Sequence, residues 1–473
     1  MNTEWARQEF RGARLGDERQ VKSIIKIGAA LAHHSDLCLS SACGPAGRQA
    51  AHRIFEHEKT TVAGLIAGHV EETAIRAGSH PRVLVAQDTT MFVFDQQQIT
   101  GRAQLNRREK TLGLIGHGAL AMTPAGTPLG MVYLDIWGGE DGSCEPNLTS
   151  RRKVPLQERE SYKWVEGLQG AAAALPASSE VIVIQDREGD VFALMAQRRP
   201  TNVHLLIRVS QNRTIRTLGP PGEGGGEPAS RRGKLKQLLA EAAVVGRHEV
   251  KVPRRSARPN EAAVPERQAL LTLRAMEAWI QAPADYPEDR SERQVWLIQA
   301  REEDPPPGST PVCWMLISTL AVPDAATAKL FVGYYTRRWL IERLHFVLKS
   351  GLRAERLQID DGTSIAHALA IYYVVAWRLM QLTLLAREQP DEPVELVVDD
   401  EEKAVLSAAT GRPVQTVAQA VRAIAKLGGH LPYQKTPPGL KVLWLGCRNL
   451  EQMVIGYRLA RTGQPLWPSY EAR

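Results

Sequence analysis

The sequence predicts a mixed α/β fold, in which a central region containing a sheet is flanked by helical regions at both ends. Two observations support this prediction. Short apolar runs alternate with helical periodicity between residues 81 and 355, whereas residues 1–80 and 356–473 show helical periodicity. The length of 473 residues fits a chain of several domains, at roughly 100–200 residues per domain.

The first region, residues 1–80, is predicted to be a basic helical domain. Its apolar residues recur at helical spacing: Val21, Ile24, Ile25, Leu31 and Ala32. Gly28 falls on the same stripe and weakens the helix prediction slightly. The basic residues around the stripe are Arg7, Arg11, Arg14, Arg19, Lys22 and Lys26. They indicate either a solvated helix face or a DNA contact, and the pattern alone does not decide between the two.

The second region, residues 81–355, begins with the elements of a mixed sheet. The predicted strands are Val83–Ala86, which ends at Gln87-Asp88, then Leu112–Met122, Leu129–Trp137 after a turn at Thr123–Thr127, Val181–Ile184, which ends at Gln185-Asp186, and His204–Val209. The predicted helices are Glu160–Leu175 and Val191–Gln197. This order of three strands, helix, strand, helix and strand is typical of a ribonuclease-H-like mixed sheet.

An antiparallel β insertion is predicted at about residues 211–312. It contains a Gly/Pro-rich loop at Gly219–Pro228. Alternating segments predict strands at Val250–Val252, Ala269–Leu273 and Val295–Gln299. Its basic residues are Arg231, Arg232, Lys234, Lys236, Arg254, Arg255 and Arg258. The core then resumes with a strand at Trp314–Ser318 and a long helix.

The last region, residues 356–473, is predicted to be a helical C-terminal domain. It begins with an apolar helix at Ile365–Leu385, and an amphipathic segment runs from Val421 to Leu459. The charged segment between them, Asp391–Glu402, is predicted to be an exposed loop.

The long helix carries four polar residues on one face. Asp324 is a favourable N-cap and Gly351 a favourable C-terminal stop. At about 100° per residue, the four side chains fall within roughly 60° of one another: Tyr335, Arg338, Glu342 and Lys349. The opposite side is apolar, with Leu340, Leu344, Val347 and Leu348. An exposed ion pair between Arg338 and Glu342 explains the same spacing.

Three carboxylates form a candidate catalytic site. Asp88 and Asp186 each follow an apolar strand, and Glu342 lies on the helix. Strand-end aspartates are often turn or cap residues, so the spacing alone leaves their convergence open. Converging carboxylates repel one another unless cations lie between them, and oxygen ligands suit Mg²⁺ or Mn²⁺. Two such ions about 4 Å apart activate an attacking oxygen and stabilise the leaving oxygen of a phosphodiester.

Charge and cysteine content give weaker indications. The net charge of +7 and the isoelectric point of about 9.1 fit a polyanionic partner or simply a basic soluble protein. The cysteines, Cys38, Cys43, Cys144, Cys313 and Cys447, are expected to be reduced thiols, and a zinc site is not expected. The chain lacks an apolar run of 18 residues and an apolar signal core, so a cytoplasmic location without membrane contact is expected.

Several motifs resemble those of one family. They are Ala13-Arg14-Leu15-Gly16-Asp17-Glu18-Arg19, Gln87-Asp88-Thr89-Thr90, Glu160-Ser161-Tyr162-Lys163-Trp164, Asp186-Arg187-Glu188-Gly189-Asp190, Ala425-Lys426-Leu427-Gly428-Gly429 and, most specifically, Tyr335 to Glu342 continuing to Lys349. The chain thereby resembles the Tn-five-like transposases of the insertion-sequence-four family, which are DDE cut-and-paste enzymes. The resemblance spans residues 4 to about 460 and is loose in the β insertion. Two departures are Leu114-Ile115-Gly116-His117 and Gly189.

The resemblance implies roles for individual residues. Asp88, Asp186 and Glu342 would bind two Mg²⁺ ions per active site, with Mn²⁺ as a substitute. Tyr335, Arg338, Lys349 and Arg208 would hold DNA phosphate, because guanidinium and ammonium groups are charge-assisted donors. Trp314 would stack on a base flipped out of the element's end; a core or edge aromatic is the alternative. Arg208 could equally be an ordinary strand-end arginine. Candidate DNA-backbone contacts are Lys163 and the clusters Arg107-Arg108-Lys110 and Arg151-Arg152-Lys153.

The family also implies a reaction and an assembly. The N-terminal domain would bind the terminal inverted repeats, and the element would be excised through a DNA hairpin and joined by its 3′ ends to target DNA. The C-terminal domain would dimerise the protein, and each subunit would cleave the end bound by its partner. The expected location is the prokaryotic cytoplasm, in association with the nucleoid.

Three alternatives remain open at this point. A non-catalytic DNA-binding remnant is disfavoured by the presence of Asp88, Asp186 and Glu342. A ribonuclease-H-type nuclease without strand transfer would leave the Tyr335–Arg338–Lys349 face and Trp314 without a purpose. A recombinase adopted by its host has the same sequence features as a transposase, since the neighbouring DNA is not visible in the protein sequence.

Overall fold

The computed structural model describes residues 4–33, 39–94, 99–105, 111–139, 155–218, 230–252, 265–284, 286, 289–307, 309–431 and 438–463. Several predicted features lie outside these residues: the clusters Arg107-Arg108-Lys110 and Arg151-Arg152-Lys153, the loop Gly219–Pro228, Arg254, Arg255 and Arg258, and Cys38 and Cys144. The described cysteines, Cys43, Cys313 and Cys447, are free thiols.

Four helices form the N-terminal region, as predicted: α1 (Glu4–Phe10), α2 (Glu18–His33), α3 (Leu39–Phe55) and α4 (Val62–Gly78). The six basic residues singled out in this region are all exposed. Several of them have acidic neighbours: Arg11 lies 2.6 Å from Glu72, and Lys22 lies 3.1 Å from Glu18. The basic face is therefore solvent-accessible but partly neutralised.

Gly28 has a packing role that explains its place on the apolar stripe. A Cβ atom at this position would lie 2.4 Å from Cε2 of Phe10, so α2 can approach the ring only without a side chain. We expect Gly28→Ala to destabilise the protein by about 1–3 kcal/mol, because the buried ring has to move. Gly333 is the matched control, since a Cβ there meets nothing within 4 Å. Gly333→Ala should stabilise by about 0.5–1 kcal/mol, and denaturant unfolding of both variants tests the pair. Equal effects would contradict the packing role.

The described strands form one mixed sheet. They are β1 (Arg82–Val93), β2 (Ala103–Gln104), β3 (Leu112–Met122), β4 (Pro128–Trp137), β5 (Glu180–Gln185), β6 (Val203–Arg208), β7 (Thr214–Leu218), β8 (Ser230–Lys234), β9 (Val244–Val252), β10 (Arg267–Ile280), β11 (Arg293–Glu302) and β12 (Cys313–Ser318). Their order is β2-β3-β1-β5-β6-β12-β11-β10-β7-β8, with β4 also paired to β3 and β9 to β10. The pairs β1–β5 and β5–β6 are parallel, and the other pairs are antiparallel.

The first strand is longer than predicted. β1 was expected to end at Gln87-Asp88, but it continues to Val93 because its antiparallel pairing with β3 extends to Val93 and Gly113. Its parallel pairing with β5 stops at Ala86 and Ile184. Asp88 therefore lies within β1, two residues beyond the last pair with β5.

The predicted β insertion continues the core sheet. β12 pairs with β6 of the core on one side and with β11 of the insertion on the other. The antiparallel pairs β9–β10 and β10–β11 confirm the predicted strands and lengthen them. The sheet order therefore joins core and insertion edge to edge.

Helices cover both faces of the core sheet. On one face lies α5 (Lys163–Ala174), which packs with α6 (Phe192–Ala196) and the insertion's α7 (Leu235–Glu241). On the other face lie α8 (Ala325–Arg337), α9 (Trp339–Phe346) and α10 (Gly362–Glu388). Gly362–Ala386 is long and apolar enough to cross a membrane, but 82% of its apolar window is buried inside the protein. It forms the central core helix.

The C-terminal region is helical, with one correction. The helices after α10 are α11 (Asp400–Thr410), α12 (Val417–Leu427) and α13 (Leu440–Thr462). The segment Asp391–Glu402 was predicted to be an exposed loop, yet Val394, Val397 and Val398 are buried. Its acidic end begins α11, because the Asp399 carboxylate accepts from the Glu402 backbone N–H and the Glu402 side chain accepts from the Asp399 N–H.

Candidate active site

The sheet register places Asp88 and Asp186 at the same level. β1 and β5 run parallel, with Leu84 opposite Ile182 and Ala86 opposite Ile184. Continuing this register by two residues, beyond its last pair, makes Asp88 level with Asp186, which directly follows β5. Leu84 and Ala86, whose side chains lie on the same face of β1 as that of Asp88, belong to the core beneath α8, α9 and α10. Asp88 therefore lies on the helix-covered face where Glu342 of α9 also lies.

One guanidinium joins Asp88 to Glu342. Arg338, at the junction of α8 and α9, donates from Nη2 to the Glu342 carboxylate, and its Nη1 lies 3.6 Å from Asp88 Oδ1. The Arg338 side chain is 14% exposed. Burial lowers the pKa of this guanidinium, but Tyr335, Glu342 and Asp88 together raise it above its usual value. The structure thus brings two of the three predicted carboxylates to a single cation, and the ion pair expected from the helical spacing is present as well.

Asp186 remains apart from that pair. Its Oδ1 accepts the backbone N–H of Glu188 at 2.8 Å. The pKa of Glu188 is raised, first by burial and then by Asp186, Glu160 and Asp88, while Lys163 opposes the rise. The negative charges of Asp186 and Asp88 therefore both raise the pKa of Glu188. Within the described part of the chain, no three His, Cys, Asp or Glu side chains are grouped closely enough to hold a metal ion.

Three predicted DNA-binding residues form an aromatic cluster. The ring centroids of Trp314 and Tyr335 lie 6.1 Å apart at an interplanar angle of 58°. Cζ of Arg208 lies 6.0 Å from the centre of the Tyr335 ring. The Tyr335 hydroxyl is buried and has no hydrogen-bond partner among the residues that the structure describes. A phenol, an indole and a guanidinium therefore lie together beside Arg338, on β6, β12 and α8.

The predicted long helix is interrupted in two places. Asp324 caps it as predicted, accepting the Thr327 N–H at 2.8 Å, but the chain tightens at Arg338 and forms a π-helical turn at Val347–Gly351. Lys349 lies on that turn, where it donates to the Met91 carbonyl and its Nζ lies 3.7 Å from Glu355 Oε1. Lys349 thus lies beside the part of β1 that follows Asp88. The predicted apolar side, Leu340, Leu344, Val347 and Leu348, is buried.

Lys163 is buried rather than exposed. Its side chain is 6% exposed, and Nζ lies 2.8 Å from Glu160 and 3.8 Å from Glu188. To contact a DNA backbone, this ammonium has to exchange carboxylate partners.

Two histidines lie near Asp88, and the sequence did not predict their place there. His345 is buried, and its Nδ1 lies 3.4 Å from Asp88 Oδ2. His117 lies on the opposite face of the sheet, within hydrogen-bond distance of Thr89 Oγ1 at 2.9 Å. The sequence indicated the place of His345 in part, because it follows Glu342 by three residues and this spacing puts both side chains on one face of a helix.

His117 predicts a pH dependence of stability. Burial, foremost, and then Lys163 lower its pKa from 6.5 to about 3. The unfolded chain takes up a proton below pH 6.5 while the folded chain does not, so stability falls as the pH decreases. Between pH 8 and pH 5, His117 should account for about 2 kcal/mol of this loss. We expect His117→Gln to lose that much less over the same range, measured by urea unfolding in chelator. An identical slope for both proteins would contradict the assignment.

Two family models match the ends of the chain. Residues 2–60, which include α1 to α3, match the model described as transposase DNA-binding. Residues 374–465, from within α10 to the end of α13, match the model described as transposase Tn5 dimerisation domain. A chain with a transposase DNA-binding domain before a mixed α/β core and a transposase dimerisation domain after it is a transposase. It belongs to the Tn5-like transposases, a family of DNA-cutting and DNA-joining enzymes, and this confirms the resemblance found in its motifs.

Proposed function

We propose that this transposase is a DDE-type cut-and-paste enzyme whose catalytic core is ribonuclease-H-like. The observation that carries the proposal is the meeting of Asp88 and Glu342 at one partly buried guanidinium, with Asp186 level with Asp88 when the β1–β5 register is continued. The strand order β4-β3-β1-β5-β6, antiparallel on one side of β1 and parallel on the other, supports the ribonuclease-H-like assignment.

The donor set fits divalent cations. Asp88 and Glu342 already share a positive charge, and carboxylate oxygens are the ligands that Mg²⁺ and Mn²⁺ prefer. We infer that Asp88, Asp186 and Glu342 hold two Mg²⁺ ions, for which Mn²⁺ substitutes. Bound there, the ions would activate the attacking oxygen and stabilise the leaving oxygen of a phosphodiester.

The surrounding residues position the DNA. Arg338 is charged and would pair with a DNA phosphate in place of Glu342 once that carboxylate holds a metal ion. Lys349 and Arg208 bind further phosphates, and the unpartnered Tyr335 hydroxyl donates to a phosphate oxygen. Trp314 is partly exposed beside Tyr335 and can stack on an unpaired base. Such a base arises when the freed 3′-hydroxyl attacks the opposite strand and closes a DNA hairpin.

The helical ends complete the assembly. The exposed basic residues of α1, α2 and the segment between them bind the terminal inverted repeats, mainly through phosphates. The C-terminal helices pair two copies, and each copy cleaves the end held by the other. We propose the prokaryotic cytoplasm, at the nucleoid, as the location of this homodimer. A nuclease without strand transfer would have no use for the Trp314–Tyr335–Arg208 cluster.

The gene's own flanking DNA is the substrate that tests this function. Purified protein is incubated with that DNA in Mg²⁺, in Mn²⁺ or in chelator, and the products are resolved on a denaturing gel. We expect metal-dependent hairpins and blunt ends at two flanking sites, and 3′-end joining when target DNA is added. A scrambled flank is the control. Binding without any cleavage would instead support a DNA-binding remnant, and cleavage without joining would support a nuclease.

A further inference from the structure

The Asp88 carboxylate is faced by a different nitrogen at each oxygen. Arg338 Nη1 lies 3.6 Å from Oδ1, and His345 Nδ1 lies 3.4 Å from Oδ2. The Asp88 side chain is 16% exposed and that of His345 is 8% exposed, so little water reaches the contact. Arg338 has a role on DNA, whereas His345 has none in the function proposed above.

The His345 ring is held in place by the core. It meets the ring of Tyr373 edge-on, with centroids 6.0 Å apart and an interplanar angle of 87°. Tyr373 is fully buried in α10, and the neighbouring Leu344 of α9 is also fully buried. Among the described residues His345 Nε2 has no hydrogen-bond partner, whereas Nδ1 faces Asp88. The imidazole therefore presents a fixed nitrogen to Asp88.

Glu342 and His345 are carried by one helix, α9. A shift of α9 relative to β1 moves the candidate metal ligand and the support of Asp88 together. Arg338 cannot serve as a permanent support, because its guanidinium also binds Glu342 and is the group that leaves for phosphate. His345 is the contact that stays on Asp88 after Arg338 has left.

We propose that His345 is a positioning residue, which holds Asp88 Oδ2 so that Oδ1 faces the space shared with Glu342 for metal binding. This inference rests on the proposed function of the site. Carboxylates that bind metal are usually held by such outer partners, and their loss weakens metal binding by about 10–100-fold. His345 supports a ligand and does not itself contact substrate.

Two substitutions separate positioning from packing. His345→Phe keeps the ring contact with Tyr373 and removes the nitrogen that faces Asp88. His345→Asn keeps an amide nitrogen near the position of Nδ1 and removes the rest of the ring. His367→Phe is the matched control, because His367 is also buried and its Nδ1 lies 2.7 Å from the Phe55 carbonyl oxygen, in another part of the core.

The measurement is Mn²⁺ binding to DNA-free protein, followed by the electron paramagnetic resonance signal of free Mn²⁺. The Mn²⁺ concentration for half-maximal cleavage of the flanking DNA is measured in parallel. We expect His345→Phe to weaken Mn²⁺ binding and to raise that concentration, each by at least about tenfold. His345→Asn should keep most of the wild-type Mn²⁺ affinity and a Mn²⁺ concentration for half-maximal cleavage close to that of the wild type. His367→Phe should leave both quantities unchanged. Binding to the DNA ends should be equal in all four proteins.

Either of two results would overturn the assignment. In the first, His345→Phe binds Mn²⁺ as tightly as the wild type does, and both the variant and the wild type cleave DNA. In the second, His345→Asn loses as much Mn²⁺ affinity as His345→Phe does. In each case the proposed function stands and the Nδ1 contact of His345 does not position Asp88. A wild-type protein that neither binds Mn²⁺ nor cleaves the flanking DNA would instead overturn the proposed function itself.

Discussion

Replacing Glu342 with glutamine is expected to lower the rate of strand cleavage by at least about a thousandfold and to leave binding of the DNA ends unchanged. Glutamine keeps the size of the side chain but loses the charge that Glu342 contributes beside Asp88. The Glu342 side chain is 53% exposed and pairs with Arg338, so its substitution should barely change folding. Cleavage is measured on a denaturing gel and end binding by mobility shift.

Glu303→Gln is the matched control for this substitution. Glu303 is also an exposed carboxylate paired with an arginine, since it is 45% exposed and lies 3.3 Å from Arg274 in the insertion. It should cleave at the wild-type rate. Joint loss of end binding and cleavage in Glu342→Gln would show that Glu342 is structural, and the three-carboxylate interpretation would then be wrong.

Trp314→Ala is expected to spare the first nick and to slow hairpin formation by roughly 5- to 150-fold. The range corresponds to a stacking free energy of about 1–3 kcal/mol per base. The physical reason is the place of the indole, which is partly buried and lies against Tyr335 at the less buried end of β12. The first nick needs no unpaired base, whereas closing the hairpin does. Time courses of nicked and hairpin products on one gel give both rates.

Trp296→Ala provides the comparison for packing. Trp296 lies on the neighbouring strand β11, opposite Ser318, and packs against the core. Its loss should lower stability and should affect nicking and hairpin formation alike. If Trp314→Ala also slows both steps equally, the indole packs the core and does not stack on DNA.

The order of elements in the central region could be predicted because each strand and helix carries its own periodicity. The end of β1 could not, since it depends on pairing with β3, a partner defined by distant residues. The exposed loop expected at Asp391–Glu402 was wrong because its charges are used to cap α11 while its valines are buried. The charged residues of this segment therefore did not predict its backbone conformation.

The candidate site was predictable along one helix and not across elements. Helical spacing placed Arg338 with Glu342, and the structure confirms that contact. The same spacing placed Lys349 on their face, and in the structure this lysine lies on the π-helical turn at Val347–Gly351, where it donates to the Met91 carbonyl. His345 was missed because its partner Asp88 lies far away in the sequence, and no periodicity links a helix residue to a strand.

The sharing of β12 between core and insertion limits how this protein can be recombined with its relatives. A chimera that exchanges the insertion alone separates two strands that hydrogen-bond along Trp296–Arg301 and Cys313–Ser318. It leaves an open strand edge, which invites pairing with another chain and aggregation. A functional exchange therefore has to carry β12 along with the insertion. Since Trp314 is part of β12, any such transplant also brings with it the donor's residue at the position proposed to stack on a base.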